Sequence, residues 1–229
     1  MIQISISAEI NAACPELEVV AIMAKVKNRE SDVQLWEEIQ TVSEGLRASL
    51  RIEEVNQFPQ IRATRQAYKQ LGKDPNRYRP SAEALRRRIL RGLPLYRIDT
   101  LVDIINLVSI ETGYSIGGFD ADKIEGDLIL GVGRAGEPYE AIGRGLLNIE
   151  GLPVYRDKIG GVGTPTSDEE RTKIDINTTN LLMIVNGYSG AEGLSEAAER
   201  SVKLLKEFAL AEDLELQKIR YSGRDNIVF

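Results

Sequence analysis

The 229-residue chain contains no histidine and a single cysteine, Cys14. Without histidine, the sequence excludes a Ser-His-Asp triad, a Cys-His pair and a histidine-ligated zinc. One cysteine excludes an internal disulfide and any cysteine-cluster metal site, which fits a reducing compartment. Since no histidine is present to activate it, we interpret Cys14 as an incidental thiol rather than a nucleophile.

Long apolar runs are also lacking. Runs such as VVAIMA at 19–24 are too short to span a bilayer, and the start MIQISISAEI lacks the basic region and apolar core of a secretory signal. The chain is 42% hydrophobic and 28% charged, with only 20 glycines and 8 prolines, which excludes a disordered or low-complexity chain. We therefore predict a cytoplasmic protein without membrane contact, folded as one domain over residues 1–229.

The order of predicted elements indicates the fold class. Strands at 2–6 and 17–26 precede four helices, which are expected to begin at Asp32, Phe58, Ser81 and Asp99 or Thr100. Short strands with many glycines follow from 115 to about 185, then a helix at 194–211 and a terminal strand, LELQKIRY. Helices followed by a block of strands predict an α+β fold, with a helical N-terminal half packed on a mixed or antiparallel sheet.

Basic residues are concentrated in one segment of an acidic chain. The formal net charge is −6, from 29 basic and 35 acidic residues. Between Arg62 and Arg97 there are eleven basic residues and only two acidic ones, so this segment carries +9 and the remainder −15. Such a segment favours a surface that contacts phosphate. The alternative is that the arginines pair with acidic neighbours inside the fold.

The third predicted helix carries much of this charge. With Ser81 as its N-cap, Leu85 and Ile89 are four residues apart and are expected to face inward. Arg87, Arg88 and Arg91 then fall on the outer side of the helix.

A glycine pattern, GVGRAG at 131–136, matches GxGxxG after a predicted strand. A dinucleotide fold requires a long helix next, but Pro138, Gly143 and Gly145 interrupt the segment. We interpret the pattern as a hairpin turn, and we predict no cofactor and no metal.

The best candidate for a pocket is the stretch GGVGTPTSD at 160–168, together with Gly117-Gly118 and Glu137. Small residues allow a ligand to approach the main chain, and free N–H groups can hold an oxyanion. Asn106 is a further candidate, because Asp103 and Ser109 lie one turn before and after it on a helix. The alternative interpretation of Asn106 is a core amide bonded to neighbouring backbone.

A set of motifs in a fixed order resembles a known family. The runs are YKQLGKDPNRYRPSAEALRRR at 68–88, LVDIINLVS at 101–109, IGGFDADKI at 116–124, GRG at 143–145 and GTPTSDEERT at 163–172. They resemble the module formed by the third and fourth domains of the phenylalanyl-tRNA synthetase beta subunit, over residues 62–184. That module is α+β and carries the editing site, which hydrolyses tyrosine wrongly esterified to the phenylalanine tRNA. The chain resembles a free-standing version of it and lacks the rest of a complete ligase.

The resemblance implies roles for individual positions. Asn106 matches an editing-site asparagine of the bacterial synthetase. Gly117 stands where that enzyme has a histidine, in a segment reading Gln-Pro-Leu-His-Ala-Phe-Asp. The loop around Thr164 occupies the region that supplies an editing glutamate in bacteria, and no glutamate stands clearly in its place.

Two hypotheses follow. The first is a deacylase that acts in trans on mischarged tRNA and holds its acceptor end through phosphates, without contact to DNA. The second is a non-catalytic module that binds tRNA or an amino acid.

The predicted catalytic residues are Asn106, Glu137, Thr164, Thr166, Ser167 and Asp168. The predicted substrate-binding residues are Ile116, Gly117, Gly118, Phe119, Gly161 and Gly163. The predicted tRNA-binding residues are Lys69, Arg77, Arg79, Arg86, Arg87, Arg88 and Arg91.

Overall fold

A computed structural model describes residues 2–222 of the chain. Its helices are α1 Ala8–Ala13, α2 Val33–Ser49, α3 Pro59–Gln70, α4 Ser81–Leu90, α5 Thr100–Thr112 and α6 Leu194–Ala209. Its strands are β1 Ile4–Ile6, β2 Glu18–Lys25, β3 Ile116–Asp120, β4 Leu128–Val132, β5 Glu140–Ala141, β6 Gly145–Leu146, β7 Pro153–Arg156, β8 Gly161–Gly163, β9 Asn180–Gly187 and β10 Glu212–Ile219.

These strands form two four-stranded sheets and a short hairpin of β5 and β6. Sheet A has the order β1-β4-β7-β8, and sheet B has the order β10-β2-β9-β3. Within the two sheets, β1 and β4 pair in parallel and the other neighbouring strands pair antiparallel. The predicted α+β fold with a mixed or antiparallel sheet is confirmed.

Sheet B is covered on both faces along its two central strands, which are continuously apolar over 19–24 of β2 and 181–185 of β9. On β9, Leu181, Met183 and Val185 pack among α2, α5 and α6 in one core cluster. The alternate residues Leu182 and Ile184 enter a second cluster, which lies between the two sheets. Side chains alternate across a strand, so a continuous apolar run supplies both cores.

The N-terminal segment belongs to the same two sheets as the rest of the chain. Strand β1 pairs with β4 at the edge of sheet A, and β2 lies between β10 and β9 in sheet B. Ile4 and Ile6 enter the core between the sheets, together with Leu128 and Leu130 of β4. The first strands therefore contribute directly to the core that supports the candidate site.

Most predicted helix boundaries agree with the structure. The Asp32 carboxylate accepts from the Gln34 N–H at the start of α2, and Asp99 accepts from Val102 at the start of α5. Helix α5 ends at Gly113, whose left-handed φ of 80° favours glycine. None of the helices between residues 2 and 222 is long and apolar enough to cross a bilayer.

Helix α4 differs from its predicted start and inner face. Pro80 is its N-cap and Ser81 is its first helical residue, so the predicted Ser81 cap is wrong. Leu85 is only half-buried, whereas Glu83 and Arg86 are buried beside Ile89. These two charged side chains take inward positions because each finds several partners there, which are described below.

Candidate functional site

Glycines of β3 and β8 meet where an edge strand of sheet B approaches an edge strand of sheet A. A Cβ atom added to Gly163 would lie 2.5 Å from the Phe119 ring, and one added to Gly117 would lie 2.7 Å from it. The ring therefore packs directly against the backbone of both strands, and only glycine fits at these two positions. Ile116, Gly118 and Gly161, also predicted to bind substrate, lie in the same two strands and are buried.

The Asp168 carboxylate lies over these glycines. Its Oδ2 atom accepts a hydrogen bond from the Gly118 N–H at 3.2 Å. Its Oδ1 atom is 2.9 Å from the position of a Cβ on Gly163 and 3.6 Å from one on Gly117. Burial raises the pKa of Asp168 to about 7, although the Gly118 N–H opposes this shift. A carboxyl group of this pKa exchanges protons near neutral pH, which is the task a histidine performs in many enzymes.

The threonine hydroxyl groups of the loop at 164–168 form hydrogen bonds that fix the conformation of this loop. Thr164 Oγ1 accepts from the N–H groups of Thr166 and Ser167, both at 3.2 Å, and donates to the Ser167 carbonyl at 2.9 Å. The Thr166 hydroxyl is 2.9 Å from the Tyr68 hydroxyl. Thr164 and Thr166 are therefore engaged in positioning Asp168, and their predicted catalytic role stays a prediction.

Two buried tyrosines that the sequence analysis missed support this loop. Tyr68 reaches it from α3 through Thr166, and the Tyr139 hydroxyl donates to the Ser167 carbonyl at 2.7 Å. The Tyr139 ring also packs on Gly161, 2.7 Å from the position of a Cβ. Spacing alone does not separate a supporting tyrosine from an ordinary core aromatic residue, although Tyr68 opens the longest motif of the resemblance.

Glu137 is engaged in an ion pair. Its two oxygens accept from Nε and Nη2 of Arg156, each at 2.6 Å, and one also accepts from the Arg134 N–H at 2.8 Å. Burial opposes ionisation, but the bonds to Arg156 outweigh it and lower the pKa of Glu137 below its usual value. The carboxylate thus connects β7 to the turn after β4.

Asn106 and Asp168 are held by elements on opposite faces of sheet B. A Cβ on Gly118 would meet Ile105 of α5 at 2.3 Å, whereas the neighbouring Gly117 faces Phe119 and Asp168. Because side chains alternate across β3, helix α5 covers one face and Asp168 approaches from the other. Asn106 is half-buried on α5. The structure therefore does not gather the predicted catalytic residues into one cluster.

Asp103 and Ser109, which lie one turn before and after Asn106 on α5, form hydrogen bonds that hold other parts of the fold. Asp103 accepts from the Ser31 hydroxyl and, at 2.8 Å, from the Trp36 indole N–H. The Ser109 hydroxyl donates to the Tyr114 carbonyl at 2.7 Å. Of these three polar residues, only Asn106 remains a candidate for ligand contact.

The predicted basic surface is partly neutralised inside the fold. Glu83, whose side chain is 1% exposed, accepts from Arg65 at 2.8 Å and from Arg87 at 2.7 Å, and lies 3.4 Å from Arg79. Arg87 also donates to the Ile52 carbonyl at 3.2 Å. The alternative interpretation, in which arginines pair with an acidic neighbour, holds for these three residues.

Arg86, which the sequence predicts to bind tRNA, is buried and has a structural role in the fold. Its guanidinium is buried under the Phe58 ring, with 3.8 Å between the Arg86 Cζ atom and the ring centre. It donates to the carbonyls of Ile110 and Glu111 at 2.9 and 3.0 Å, at the C-terminal end of α5. Burial lowers the pKa of Arg86 to about 10. The side chain stabilises the end of a helix, where carbonyl groups lack partners, and is withdrawn from solvent.

The remaining predicted cations stay available to varying degrees. Lys69, Arg77 and Arg91 are exposed, while Arg88 is half-buried. Arg88 lies 4.2 Å from the centre of the exposed Tyr96 ring, and its Nε donates to the Pro94 carbonyl at 2.6 Å. Fewer basic side chains are therefore available on the surface than the sequence of this segment suggests.

The GVGRAG pattern ends strand β4 in a turn, but the predicted hairpin is wrong, because β4 pairs with β7 rather than with the next strand. Strand β4 ends at Val132, and the next element is the two-residue strand β5. A Cβ on Gly133 would lie 1.9 Å from the Ile149 carbonyl oxygen, so glycine is required there by a close approach of two backbone segments.

Comparisons with known proteins agree with this architecture. The family model described as the B3/4 domain matches residues 63–209. The chain is similar to the phenylalanine–tRNA ligase beta subunit of Bartonella henselae, at 31% identity over 117 residues, which is 47% of this chain and 13% of that protein. It is similar to the same subunit of Bartonella quintana, at 38% identity over 96 residues, which is 41% of this chain and 12% of that protein.

A solved structure supports the fold over nearly the whole length. An N-terminal fragment of the phenylalanyl-tRNA synthetase beta subunit from Pyrococcus horikoshii matches 97% of this chain and 53% of that fragment. The TM-score is 0.53 at 14% sequence identity, so this similarity concerns the fold alone. The resemblance identified from the motifs is confirmed, and the chain spans only about an eighth of the length of the curated relatives.

Proposed function

The chain belongs to the B3/4 domain family, and from that premise we propose that it hydrolyses the aminoacyl ester of mischarged tRNA in trans in the cytoplasm. Asp168 is the general base in this proposal. The observation that carries it is the position of this carboxyl group over the glycines of β3 and β8, with one oxygen bound to Gly118 and the other free of hydrogen-bond donors among residues 2–222.

The proposed reaction requires little from the protein. Ionised Asp168 takes a proton from a water molecule, and the resulting hydroxide attacks the ester carbonyl. The bond between that carbon and the ribose oxygen then breaks, and the ribose oxygen takes the proton back from Asp168, which releases the free amino acid and the tRNA and restores the carboxylate. Because the ester is already activated, the protein mainly has to position the base and the water and to stabilise the developing oxyanion. A base with a pKa of about 7 is suited to this at neutral pH.

The exposed cations are proposed to hold the nucleic acid. Lys69, Arg77 and Arg91 are exposed within the segment that carries +9. Their contacts would be with phosphates, so they fix the position of the acceptor end without reading its bases.

A second candidate function, a module that binds tRNA or an amino acid without hydrolysis, is supported by a different observation. Glu137, Thr164 and Thr166 are all engaged in contacts within the protein. Only Asp168 and Asn106 then remain from the acidic, amide and threonine side chains predicted to act on a substrate, and they lie on opposite faces of sheet B.

A panel of mischarged tRNAs separates the two functions. We expect the protein in excess to release the amino acid from at least one of them. Asp168→Asn should reduce that rate by about 100-fold or more, in line with the contribution of a general base. Asp213→Asn is the matched control, since Asp213 is an exposed residue on β10, at the opposite edge of sheet B. Its left-handed φ of 48° is one that asparagine also adopts.

Binding is measured on the same tRNAs. The second function is supported if no tRNA is deacylated but the protein binds tRNA. The logarithm of its affinity for tRNA should then fall linearly with the logarithm of the salt concentration. If neither hydrolysis nor tRNA binding is observed, the deacylase and the tRNA-binding module are both excluded.

A further inference from the structure

An exposed aromatic ring stands in the segment that joins helices α4 and α5, at 91–99. The ring belongs to Tyr96, which is 67% exposed. Every other aromatic residue between positions 2 and 222 is buried or half-buried. Leu93 and Ile98 in the same segment are exposed as well. Such a group of exposed apolar side chains marks a candidate contact surface.

A cation is stacked on one face of the Tyr96 ring. The Arg88 Cζ atom lies 4.2 Å from the ring centre, which is within the range of a cation–π contact. Arg88 Nε donates to the Pro94 carbonyl at 2.6 Å, so the backbone holds the guanidinium in this position. Because a guanidinium covers only one face, the 67% exposure of Tyr96 leaves the other face open to solvent. A ring held in this way is suited to stack with a second planar group.

The surroundings of this ring are positively charged. No acidic residue occurs between positions 84 and 98, a stretch that contains five arginines. Arg86 and Arg87 are engaged inside the fold, as described above. Arg88, Arg91 and Arg97 form no ion pair with a carboxylate of residues 2–222. Unpaired cations around an open aromatic ring fit a ligand that combines planar groups with negative charge.

Helix α2 packs beside this segment and leaves its positive charge in place. Glu44 and Arg47, the two charged residues of α2 that line the groove between them, have opposite signs. Arg97 donates to the Ser31 carbonyl, just before the start of α2, and the carboxylate of the next residue, Asp32, caps that helix. The surface therefore keeps an excess of cations, and a polyanion is its complementary partner.

Helix α4 connects this ring to the loop that carries Asp168. The Ser81 N–H at the start of α4 donates to the Pro165 carbonyl at 2.8 Å. Arg88, on which Tyr96 stacks, lies about 10 Å further along the same helix. This separation is short enough for one RNA strand to contact both places, and it fits two different nucleotides of that strand.

We propose that Tyr96 stacks with an unpaired base of RNA, while Arg91 and Arg97 contact neighbouring phosphates. A single-stranded segment is required, because a base inside a duplex has both faces covered by its neighbours. The contact reads no sequence, since every base offers a planar face. This inference rests on the tRNA-binding part of the proposed function and requires no hydrolysis.

Binding of labelled RNA to the full chain tests the proposal without any ester. The probes are a single strand of about 12 nucleotides and a duplex of the same length, followed by fluorescence anisotropy at one salt concentration. The wild type should bind the single strand. The affinity for the duplex, which offers phosphates but no open base face, reports the contribution of the cations alone.

Two substitutions of Tyr96 separate stacking from ordinary apolar contact. Tyr96→Phe keeps the aromatic face and should bind the single strand as tightly as the wild type. Tyr96→Leu keeps an apolar side chain without that face, so it should bind the single strand about fivefold to 100-fold more weakly and the duplex within about twofold of the wild type. Leu216→Ala, at an exposed position on β10, is the control and should change neither affinity.

Three results would overturn the inference: no binding of the single strand, equal affinities of Tyr96→Leu and the wild type, or equal weakening of both probes by Tyr96→Leu. The second result would assign the exposed ring to a protein partner instead of RNA. If no tRNA is deacylated but single-strand binding depends on Tyr96, the hydrolysis fails and the stacking contact stands. Where hydrolysis occurs, Tyr96→Leu should raise KM for the tRNA and leave kcat within about twofold of the wild type.

Discussion

The Arg86 guanidinium closes the C-terminal end of helix α5 by donating from Nε to the Ile110 carbonyl at 2.9 Å. A residue from α4 thus supplies the partner that the last turn of α5 lacks. The contact fixes α4 against the helix that covers one face of sheet B. Arg86 is therefore a structural residue within a run of arginines that resembles a nucleic-acid surface.

Replacing Arg86 by methionine should destabilise the fold. The apolar stem is retained, but two charged hydrogen bonds and the contact with Phe58 are lost, which corresponds to about 3 kcal/mol. Urea unfolding followed by circular dichroism measures this. Arg91→Met is the control and should change the free energy of unfolding by less than about 0.5 kcal/mol, because Arg91 is exposed. Equal effects of both variants would contradict the structural role of Arg86.

Removing the negative charge of Glu83 should strongly lower the free energy of unfolding. Glu83→Gln leaves Arg65, Arg79 and Arg87 without the buried carboxylate that they share. Breaking such a cluster from one side costs about 3–5 kcal/mol. Glu53→Gln, at an exposed site, is the matched control. A stability of Glu83→Gln within 1 kcal/mol of the wild type, on the order of one surface ion pair, would show that the cluster contributes little.

Two glycine substitutions should have opposite signs. Gly163→Ala places a Cβ 2.5 Å from the Phe119 ring, so the ring must shift and stability should fall by about 1–3 kcal/mol. Gly45→Ala lies in α2 with nothing within 4 Å of the added Cβ, and should raise stability by up to about 1 kcal/mol. Thermal unfolding distinguishes them, and a stabilising Gly163→Ala would contradict the packing described for β3 and β8.

The contribution of Asp168 to folding stability should decrease as pH rises, which is opposite to the effect of a carboxyl group with a lowered pKa. Its pKa of about 7 in the folded state lies above the ordinary value near 3.9, so between these values the folded state holds a proton that the unfolded state has lost. The contribution of Asp168 to stability is therefore present below about pH 4 and is lost as pH rises to about 7. Above pH 7 both states are ionised and the contribution stays constant.

The comparison of wild type with Asp168→Asn isolates this effect from other acids, such as Glu137 and Asp157, whose lowered pKa values act in the opposite direction. Across this range the stability of the wild type relative to the variant should fall by as much as about 4 kcal/mol. Urea unfolding at several pH values gives the difference, and a constant difference would contradict the raised pKa.

Local patterns were enough to predict much of the fold. The carboxylates of Asp32 and Asp99 cap helices where a short polar side chain precedes a periodic apolar run, and Gly113 ends α5. These features depend on neighbours within a turn of the chain. Strand β9 lies within the predicted block of short strands, and the structure shows that its apolar residues fill cores on both faces of sheet B.

The candidate site was less predictable because its contacts join distant segments. Nothing within α4 shows that Arg86 meets the end of α5, or that Glu83 meets Arg65 of α3. The separation of Asn106 from Asp168 depends on which face of β3 each neighbouring element covers. Burial of Asp168 follows from the same packing, so its raised pKa has no signature in the sequence.

The proposed role of Asp168 as a general base is tested by the pH dependence of kcat/KM for a mischarged tRNA that the wild type deacylates. After subtraction of the protein-free rate, we expect kcat/KM to rise with pH and to level off above a single ionisation near pH 7. Asp168→Asn should lack this ionisation and be slower by about 100-fold or more at neutral pH. An Asp168→Asn variant with wild-type activity and an unchanged pH profile would contradict it.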